Sequence, residues 1–365
     1  MSTKKNKLKN MAQMKSKKKK LKYDVLTDIE HVLQRPDTYG GSVTEETWKI
    51  NFNGKTEEQT IVPMLFKIFD EAIVNAADNY TRNVGMNYLY VDIDKEDGMF
   101  SVENNGKTVP IKKHPKKDAL TGEKIYTPEM VFFRMRSGQN FDDTEVRYEG
   151  GRNGIGIKLA SIFSTISEVE IRSRTKQFVQ CYKDNMKTRG NVTCRDITHP
   201  YPKTRVFFKI DLSRFKINDQ PLTKIPDDVF ELMIRRVYDV AACCPHLQVK
   251  LNAGYGYNLV QVPKFYSRYL NEEPLFVSEK KNWSVAVQLT DRENDSKDVS
   301  FVNNIWTRDN GHHVDHVKEE ICKCLMQSQI VKRMGLKKRD IMKQIYVVMK
   351  CYLAVSYTHL RAHET

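Results

Sequence analysis

The spacing of apolar and polar positions changes along the chain, and each change marks an element. From Leu65 to Arg82 (LFKIFDEAIVNAADNYTR), Leu65, Phe69, Ala72 and Ala76 recur at helical spacing, with a polar stripe of Glu71, Asn75, Asp78 and Asn79 beside them. Alternation of period two predicts strands over 88–94 and 99–103, joined by the turn residues Glu96-Asp97-Gly98, the second ending at Asn104-Asn105-Gly106. Weaker alternation over 48–61 predicts a hairpin about Asn53-Gly54. The stretch 107–127 is rich in Lys and Pro and reads as loop, followed by a short helix from Pro128 to about Arg136. Alternating runs at 168–172, 178–182 and 205–210 extend an antiparallel sheet, and a helix over 227–242 and a strand over 248–252 close this region. Past Pro263 the pattern restarts, with strands near 283–289 and 299–306, a turn at Gly311-His312-His313, and helices from Val314 and from about Lys338. The fold class is therefore α/β (α+β): an α/β sandwich with a mixed, mainly antiparallel sheet over 23–264, then a smaller α/β domain over 265–355.

Composition agrees with two globular domains: 365 residues, of which 40% are hydrophobic, suffice for two cores. No apolar run approaches the roughly 20 residues of a membrane span, and the Lys-rich start has no signal-peptide core. An intracellular protein with no membrane partner is expected. Seven cysteines with no CxxC pair suit a reducing compartment and argue against a disulfide framework or a structural metal. The net charge of +14 is unevenly placed: residues 1–22 hold ten lysines and no acid, which leaves +4 for the rest. Such a tail reads as a disordered, solvated segment that is also attracted to phosphate polyanions or import receptors.

Two stretches carry candidate chemistry. On an ordinary surface helix the polar residues are mostly Lys and Glu and lie opposite the buried face; around Glu71 short amides and carboxylates flank it, with Lys67 and Arg82 the cations. As a pocket wall, this helix offers Glu71 as a general base toward water and Asn75, one turn on, as an oxygen ligand for hydrated Mg2+. A core helix with structural Asn and Asp hydrogen bonds gives the same pattern. In GGRNGIGIK (150–158), four glycines precede a helix start, leaving backbone N–H groups free to turn toward an anion. A flexible structural turn is the alternative. Gly54-Lys55-Thr56 and Gly106-Lys107-Thr108 imitate the end of a P-loop, but Lys49 and Ser101 stand where its first glycine belongs. His312, His313 and His316 lack a matching set of further metal ligands and read as a polar-capped turn. Ser-His-Asp chemistry has no nucleophile-elbow support.

Taken together, EAIVNAADN (71–79), ENNGK (103–107) and GGRNGIGIK (150–158) resemble, in order and spacing, the three nucleotide-binding boxes of one ATPase superfamily. Gyrase, the ninety-kilodalton heat-shock chaperones, histidine kinases and MutL share it. Within it the chain is similar to eukaryotic-type DNA topoisomerase II (type IIA) from about Tyr23 to about Val355, through HVLQRPDTYGGSV (31–43), QNFDD (139–143) and SFVNNIWTRDNGHHVDHV (300–317) as well. The resemblance implies ATP and Mg2+ as cofactors, with Glu71 as general base, Asn75 as metal ligand, and Asp78 and Asn79 as further polar groups of the pocket. It places Asn104 at the adenine and Gly138, Gln139 and Asn140 at the nucleoside. Gly151, Arg152, Asn153, Gly154, Ile155, Gly156, Ile157 and Lys158 would wrap the phosphates. It further implies the N-terminal ATPase gate of a topoisomerase: a homodimer on ATP binding that passes double-stranded DNA. The basic tail and Lys332, Arg333, Lys337, Lys338 and Arg339 would contact DNA backbone. The location would be nuclear in a eukaryotic cell, or a cytoplasmic replication site if viral.

The chain departs from the family pattern at Thr108, where the second box has its last glycine, and at Gly138 and Gln139, where hydroxyl residues are usual. Residues 356–365 do not resemble the family, and the chain ends before the family's lysine-bearing loop that reaches the γ-phosphate and before the cleavage elements. The chain as given is thus expected to bind ATP far better than it hydrolyses it. A non-hydrolysing ATP-gated clamp and a MutL-like repair ATPase are the rivals; stretches 31–43 and 300–317 speak against the second.

Overall fold

The computed structural model describes residues 25–52, 55–83, 85–137, 154–198, 201–270, 272–280, 282–289 and 298–353. Residues 1–24, 138–153 and 354–365, among them the lysine tail, lie outside them. Helix α1 (Asp28–Gln34) starts on a capping box in which Thr27 and Glu30 satisfy each other's backbone N–H groups. The hairpin of β1 (Glu46–Phe52) and β2 (Lys55–Ile61) leads directly into α2 (Pro63–Arg82). Pro63 suits the first turn of that helix, where its missing N–H costs no hydrogen bond.

Next come β3 (Tyr88–Asp94), β4 (Met99–Asn104), α3 (Thr127–Phe133), α4 (Gly156–Ile162), β5 (Ser164–Arg172) and β6 (Lys176–Lys183). The short strands β7 (Thr188–Arg189) and β8 (Thr193–Asp196) precede β9 (Lys203–Ile210), and a small ladder pairs β10 (Lys216–Ile217) with β11 (Gln220–Pro221). Helix α5 (Asp227–Cys243), β12 (Gln248–Asn252) and β13 (Asn258–Leu259) complete this half. Its sheet has nine strands in the order β13-β12-β3-β4-β9-β5-β6-β7, with β8 also on β6. All of its ladders are antiparallel except that between β12 and β3.

Alternation decides which face of this sheet is covered. Leu89, Val91 and Ile93 of β3, Val169 and Ile171 of β5, and Val206 and Phe208 of β9 are buried, whereas Tyr88, Tyr90, Glu170 and Arg205 between them are not. Helices α2, α4 and α5 pack together, with α2 against β4. The apolar stripe of α2 is wholly inside: Leu65, Ile68, Phe69, Ile73 and Ala77 are 0% exposed. Phe69 meets Phe100 of β4 edge-on, with ring centroids 5.3 Å apart. Burying each such side chain contributes about 1.5–3 kcal/mol, so the helix that carries the candidate acid is among the most firmly fixed parts of the molecule.

The second half holds β14 (Phe276–Lys280), β15 (Trp283–Leu289), β16 (Val299–Val302), β17 (Ile305–Trp306), α6 (His312–Gln327), α7 (Gln329–Met334), α8 (Lys338–Gln344) and β18 (Ile345–Cys351). Its sheet runs β14-β15-β18-β16-β17, with only β16 and β18 parallel. Two elements differ from the sequence reading. The single strand expected over 299–306 is a hairpin, turned by Asn303 (φ 51°) and Asn304 (φ 64°) in the left-handed region that Asn tolerates. The helix from Lys338 stops at Gln344, and the chain continues as β18, the central strand of this sheet. A continuous apolar run such as IYVVMKC does not reveal its period, and pairing on both sides settles it as a strand.

The apolar core crosses from one sheet to the other without a break: Tyr269, Phe301, Tyr346 and Val348 share a cluster with Ile50, Phe66 and Phe69. Asn51 Nδ2 donates to the buried Tyr346 hydroxyl at 2.7 Å, and that hydroxyl donates to the Tyr269 carbonyl at 3.2 Å. All seven cysteines are free.

Candidate nucleotide site

The site is built on the polar stripe of α2 and on what the fold lays against it. Glu71 is partly exposed and pairs with Lys67, one turn earlier, at 2.8 Å. The first residue of α4, Gly156, lies directly against this carboxylate: a Cβ there would stand 1.7 Å from Glu71 Oε2. Only a glycine permits that approach. Asn75 is exposed, and its Nδ2 donates to the Glu71 carbonyl at 2.6 Å, which leaves its side-chain oxygen as the group available to a cation. Asp78 is 1% exposed, seven residues after Glu71 and so on nearly the same face. Asn79 Nδ2 reaches Asn104 Oδ1 at 3.0 Å and the Lys107 carbonyl at 3.3 Å. Asn104, 6% exposed at the end of β4, also accepts from the Gly106 N–H at 3.1 Å.

Lys158 is the cation of the glycine segment and is 2% exposed. Its Nζ donates to the Ser137 carbonyl at 2.7 Å. Burial pushes its ammonium down from the ordinary 10.5 to about 7, against the pull of the Glu71 carboxylate. Gly154 has φ +60°, and a Cβ on it would lie 2.4 Å from the same Ser137 carbonyl. Ser137 and Gly154, which bracket 138–153, are thus in contact. Ile155 precedes α4 as its N-cap, and Ile157 turns inward, 9% exposed. Gly138, Gln139, Asn140, Gly151, Arg152 and Asn153 lie outside the described residues.

Ser137 is held by a network that sequence reasoning missed. Glu129 of α3, 0% exposed, accepts from Arg134 at 2.9 Å, Arg189 at 2.7 and 2.8 Å, and the Tyr182 hydroxyl at 2.8 Å. Burial alone would raise this carboxyl, but the Arg189 and Tyr182 hydrogen bonds hold it below its ordinary range. Arg134 also reaches Asp118 of the 107–127 loop at 2.9 Å, and its carbonyl accepts from Ser137 Oγ at 2.6 Å. Tyr182 and Arg189 stand 53 and 60 positions from Glu129, and no local pattern announces them.

The sequence-nominated groups therefore gather in two places along one helix. Glu71, Gly156 and Lys158 meet where α2 and α4 touch, with Asn75 one turn further along α2, while Asn79, Asn104 and Gly106 meet at the end of β4. The first place puts an acid beside a buried cation and a glycine-opened helix start; the second offers short amides. Groups of three or more His, Cys, Asp or Glu able to hold a metal are absent among the described residues. A separate open cleft of about 540 Å3 in the second half is lined by Asp315, Lys318, Lys338, Arg339, Met342 and Lys343. Lys332, Arg333 and Lys337 are exposed on the same α7–α8 segment.

Comparison with known proteins gives the class: an ATPase region of the gyrase and topoisomerase II kind. The family described as DNA gyrase B matches residues 258–359. The chain is 39% identical over 318 residues to DNA topoisomerase 2-alpha of Sus scrofa, an alignment that covers 82% of this chain and 20% of that protein. It is 36% identical over 354 residues to DNA topoisomerase 2 of Drosophila melanogaster, covering 91% and 23%. Among solved structures, the ATPase region of Saccharomyces cerevisiae topoisomerase II superposes with a TM-score of 0.81 at 32% identity, over 91% of this chain and 86% of that one. The chain belongs to the eukaryotic-type DNA topoisomerase II family and corresponds to its ATPase region. It spans about a fifth of the length of the curated relatives it matches. Among the described residues no helix is long and apolar enough to cross a membrane.

Proposed function

We propose that this chain is the ATP-hydrolysing gate of a type II DNA topoisomerase, binding MgATP between α2 and α4, dimerising on binding it, and coupling hydrolysis to passage of duplex DNA. The observation that carries this reading is the Glu71 carboxylate seated against Gly156, with Lys158 two residues further on. An acid at the phosphate end of a nucleotide site can orient and deprotonate the attacking water. Asn75 would hold Mg2+ through its side-chain oxygen, and the metal, when bound, would neutralise charge on the phosphates. Gly151, Arg152, Asn153, Gly154, Ile155, Gly156, Ile157 and Lys158 would cradle the phosphates, Asn104 would meet the adenine, Asp78 and Asn79 would be further polar groups of the pocket, and Gly138, Gln139 and Asn140 would meet the nucleoside. Positioning and charge neutralisation are most of what phosphoryl transfer to water needs. Residues 23–264 would form the ATP-binding domain and 265–355 the domain that transmits closure. Duplex DNA would lie along the α7–α8 cations, and the location would be nuclear in a eukaryotic cell.

Glu71→Gln is expected to keep ATP affinity within a few-fold while hydrolysis falls by about 10²–10⁴. Asn75→Ala is expected to weaken Mg2+-dependent binding instead. Calorimetry and single-turnover hydrolysis on both variants decide it: equal loss of binding in the two would mean that the stripe is structural.

A further inference from the structure

Directly before the candidate base stands an acid that faces a different neighbour. Asp70 is one residue, about 100° of helix, from Glu71, and its carboxylate is directed at α5, where Arg236 Nε donates to it at 2.6 Å. Arg236 is 0% exposed. Burial works against its charge, and the carboxylates of Asp70 and Asp239 keep it charged. A second guanidinium nitrogen of Arg236 donates to the Asn304 carbonyl at 2.5 Å, in the tight turn between β16 and β17 of the second sheet. Asn304 Nδ2 in turn donates to Thr81 Oγ1, near the end of α2, at 3.0 Å. The Tyr352 hydroxyl, just past β18, fixes the same amide through Asn304 Oδ1 at 2.9 Å.

Asp70 and Thr81 are eleven residues apart, about three turns and roughly 16 Å, so they lie on one face of α2. One turn of the second sheet therefore grips the helix at both ends of its polar stripe, and Glu71, Asn75 and Asp78 lie between the grips on the adjoining face. Two anchors on one face fix the rotation of a helix about its axis as well as its height. We infer that Arg236, Asn304 and Thr81 are positioning residues for hydrolysis: through Asp70 and Thr81 the second sheet sets where Glu71 stands. A shift of about 1 Å in a reacting group costs on the order of a hundredfold in rate, so a small tilt of the 303–304 turn is enough to switch the site. The inference rests on the assignment of Glu71 as base.

Removing Arg236 would strand the Asp70 carboxylate in the core, so gentler variants serve. Asp70→Asn keeps shape and an acceptor but loses the charge, leaving the Asp239 carboxylate to balance Arg236, and Thr81→Val removes, at nearly constant volume, the hydroxyl that accepts from Asn304 and donates to the Ala77 carbonyl. In the full chain each is expected to lower single-turnover ATP hydrolysis about tenfold or more, with ATP affinity within about threefold of the parent and the Thr81→Val melting temperature lower by no more than a few degrees. Glu71→Gln is measured alongside. Thr81→Val and Asp70→Asn that fold and hydrolyse at the parent rate, while Glu71→Gln does not, overturn the inference and leave the base assignment standing. Affinity and rate falling together, in step with lost stability, also overturn it. Hydrolysis by Glu71→Gln at the parent rate overturns the base assignment and the inference with it.

Discussion

At the scale of single residues, Lys158 is the group whose chemistry the fold changes most. Its ammonium sits near 7, because burial penalises the charge. A polyphosphate beside it favours the charged form and moves the group back up. Between about pH 7 and the ordinary lysine range, nucleotide binding must then take up a proton, and apparent affinity should fall as pH rises through that window. Below it the amine is already charged and no uptake is expected. Calorimetry of ATP binding at pH 8, in two buffers of different ionisation enthalpy, should show uptake for the parent and none for Lys158→Met. Equal proton exchange in both would remove Lys158 from the phosphates. The glycine-rich approach to this residue is legible in the sequence, since four glycines before a helix start form a local pattern. Its burial and its bond to Ser137 are not, because that contact closes across 21 positions of chain and only the fold brings it about.

Whole elements were legible where their period was plain. The apolar stripe of α2 predicts its buried face, and alternation predicts β3, β4, β5 and β9 within a few residues. The central strand β18 was illegible for a physical reason: buried on both faces, it has no polar side to give it a period. The junction of α2 and α4 yields a prediction whose sign opposes intrinsic propensity. In an exposed helix, Ala is more favourable than Gly by about 1 kcal/mol. At Gly156 the new methyl would collide with the end of the Glu71 side chain, a flexible group that can swing aside. Gly156→Ala should therefore melt within a few degrees of the parent yet lose hydrolysis by at least a hundredfold, as read by thermal denaturation and single-turnover assay. Retained hydrolysis would mean that Glu71 acts from a position other than the one it holds against α4.

For the molecule as a whole, charge is distributed more informatively than its total suggests. Ten of the lysines sit in residues 1–22, and the folded body is close to balance. Within that body the α7–α8 segment presents Lys332, Arg333, Lys337, Lys338 and Arg339 to solvent, next to the basic cleft. Some neighbouring cations are already engaged: Lys318 pairs with Asp298 at 2.6 Å and Lys338 with Glu319 at 3.2 Å. Lys332, Arg333, Lys337 and Arg339 are therefore the better candidates for phosphate contact. A cation that neutralises a DNA phosphate releases a counterion, and each such contact adds about 0.9 to the slope of log affinity against log salt. Replacing these four by Gln should lower the slope for a mixed-sequence duplex by as much as about 3 to 4, and deleting residues 1–22 should flatten it independently. Because backbone contacts read no bases, the loss should be the same for duplexes of unrelated sequence. The titrations belong between about 50 and 200 mM salt, where the term is large. Unchanged affinity and slope after both changes would exclude these surfaces from DNA binding, and a loss confined to one duplex sequence would show that the segment reads bases and does not follow the backbone.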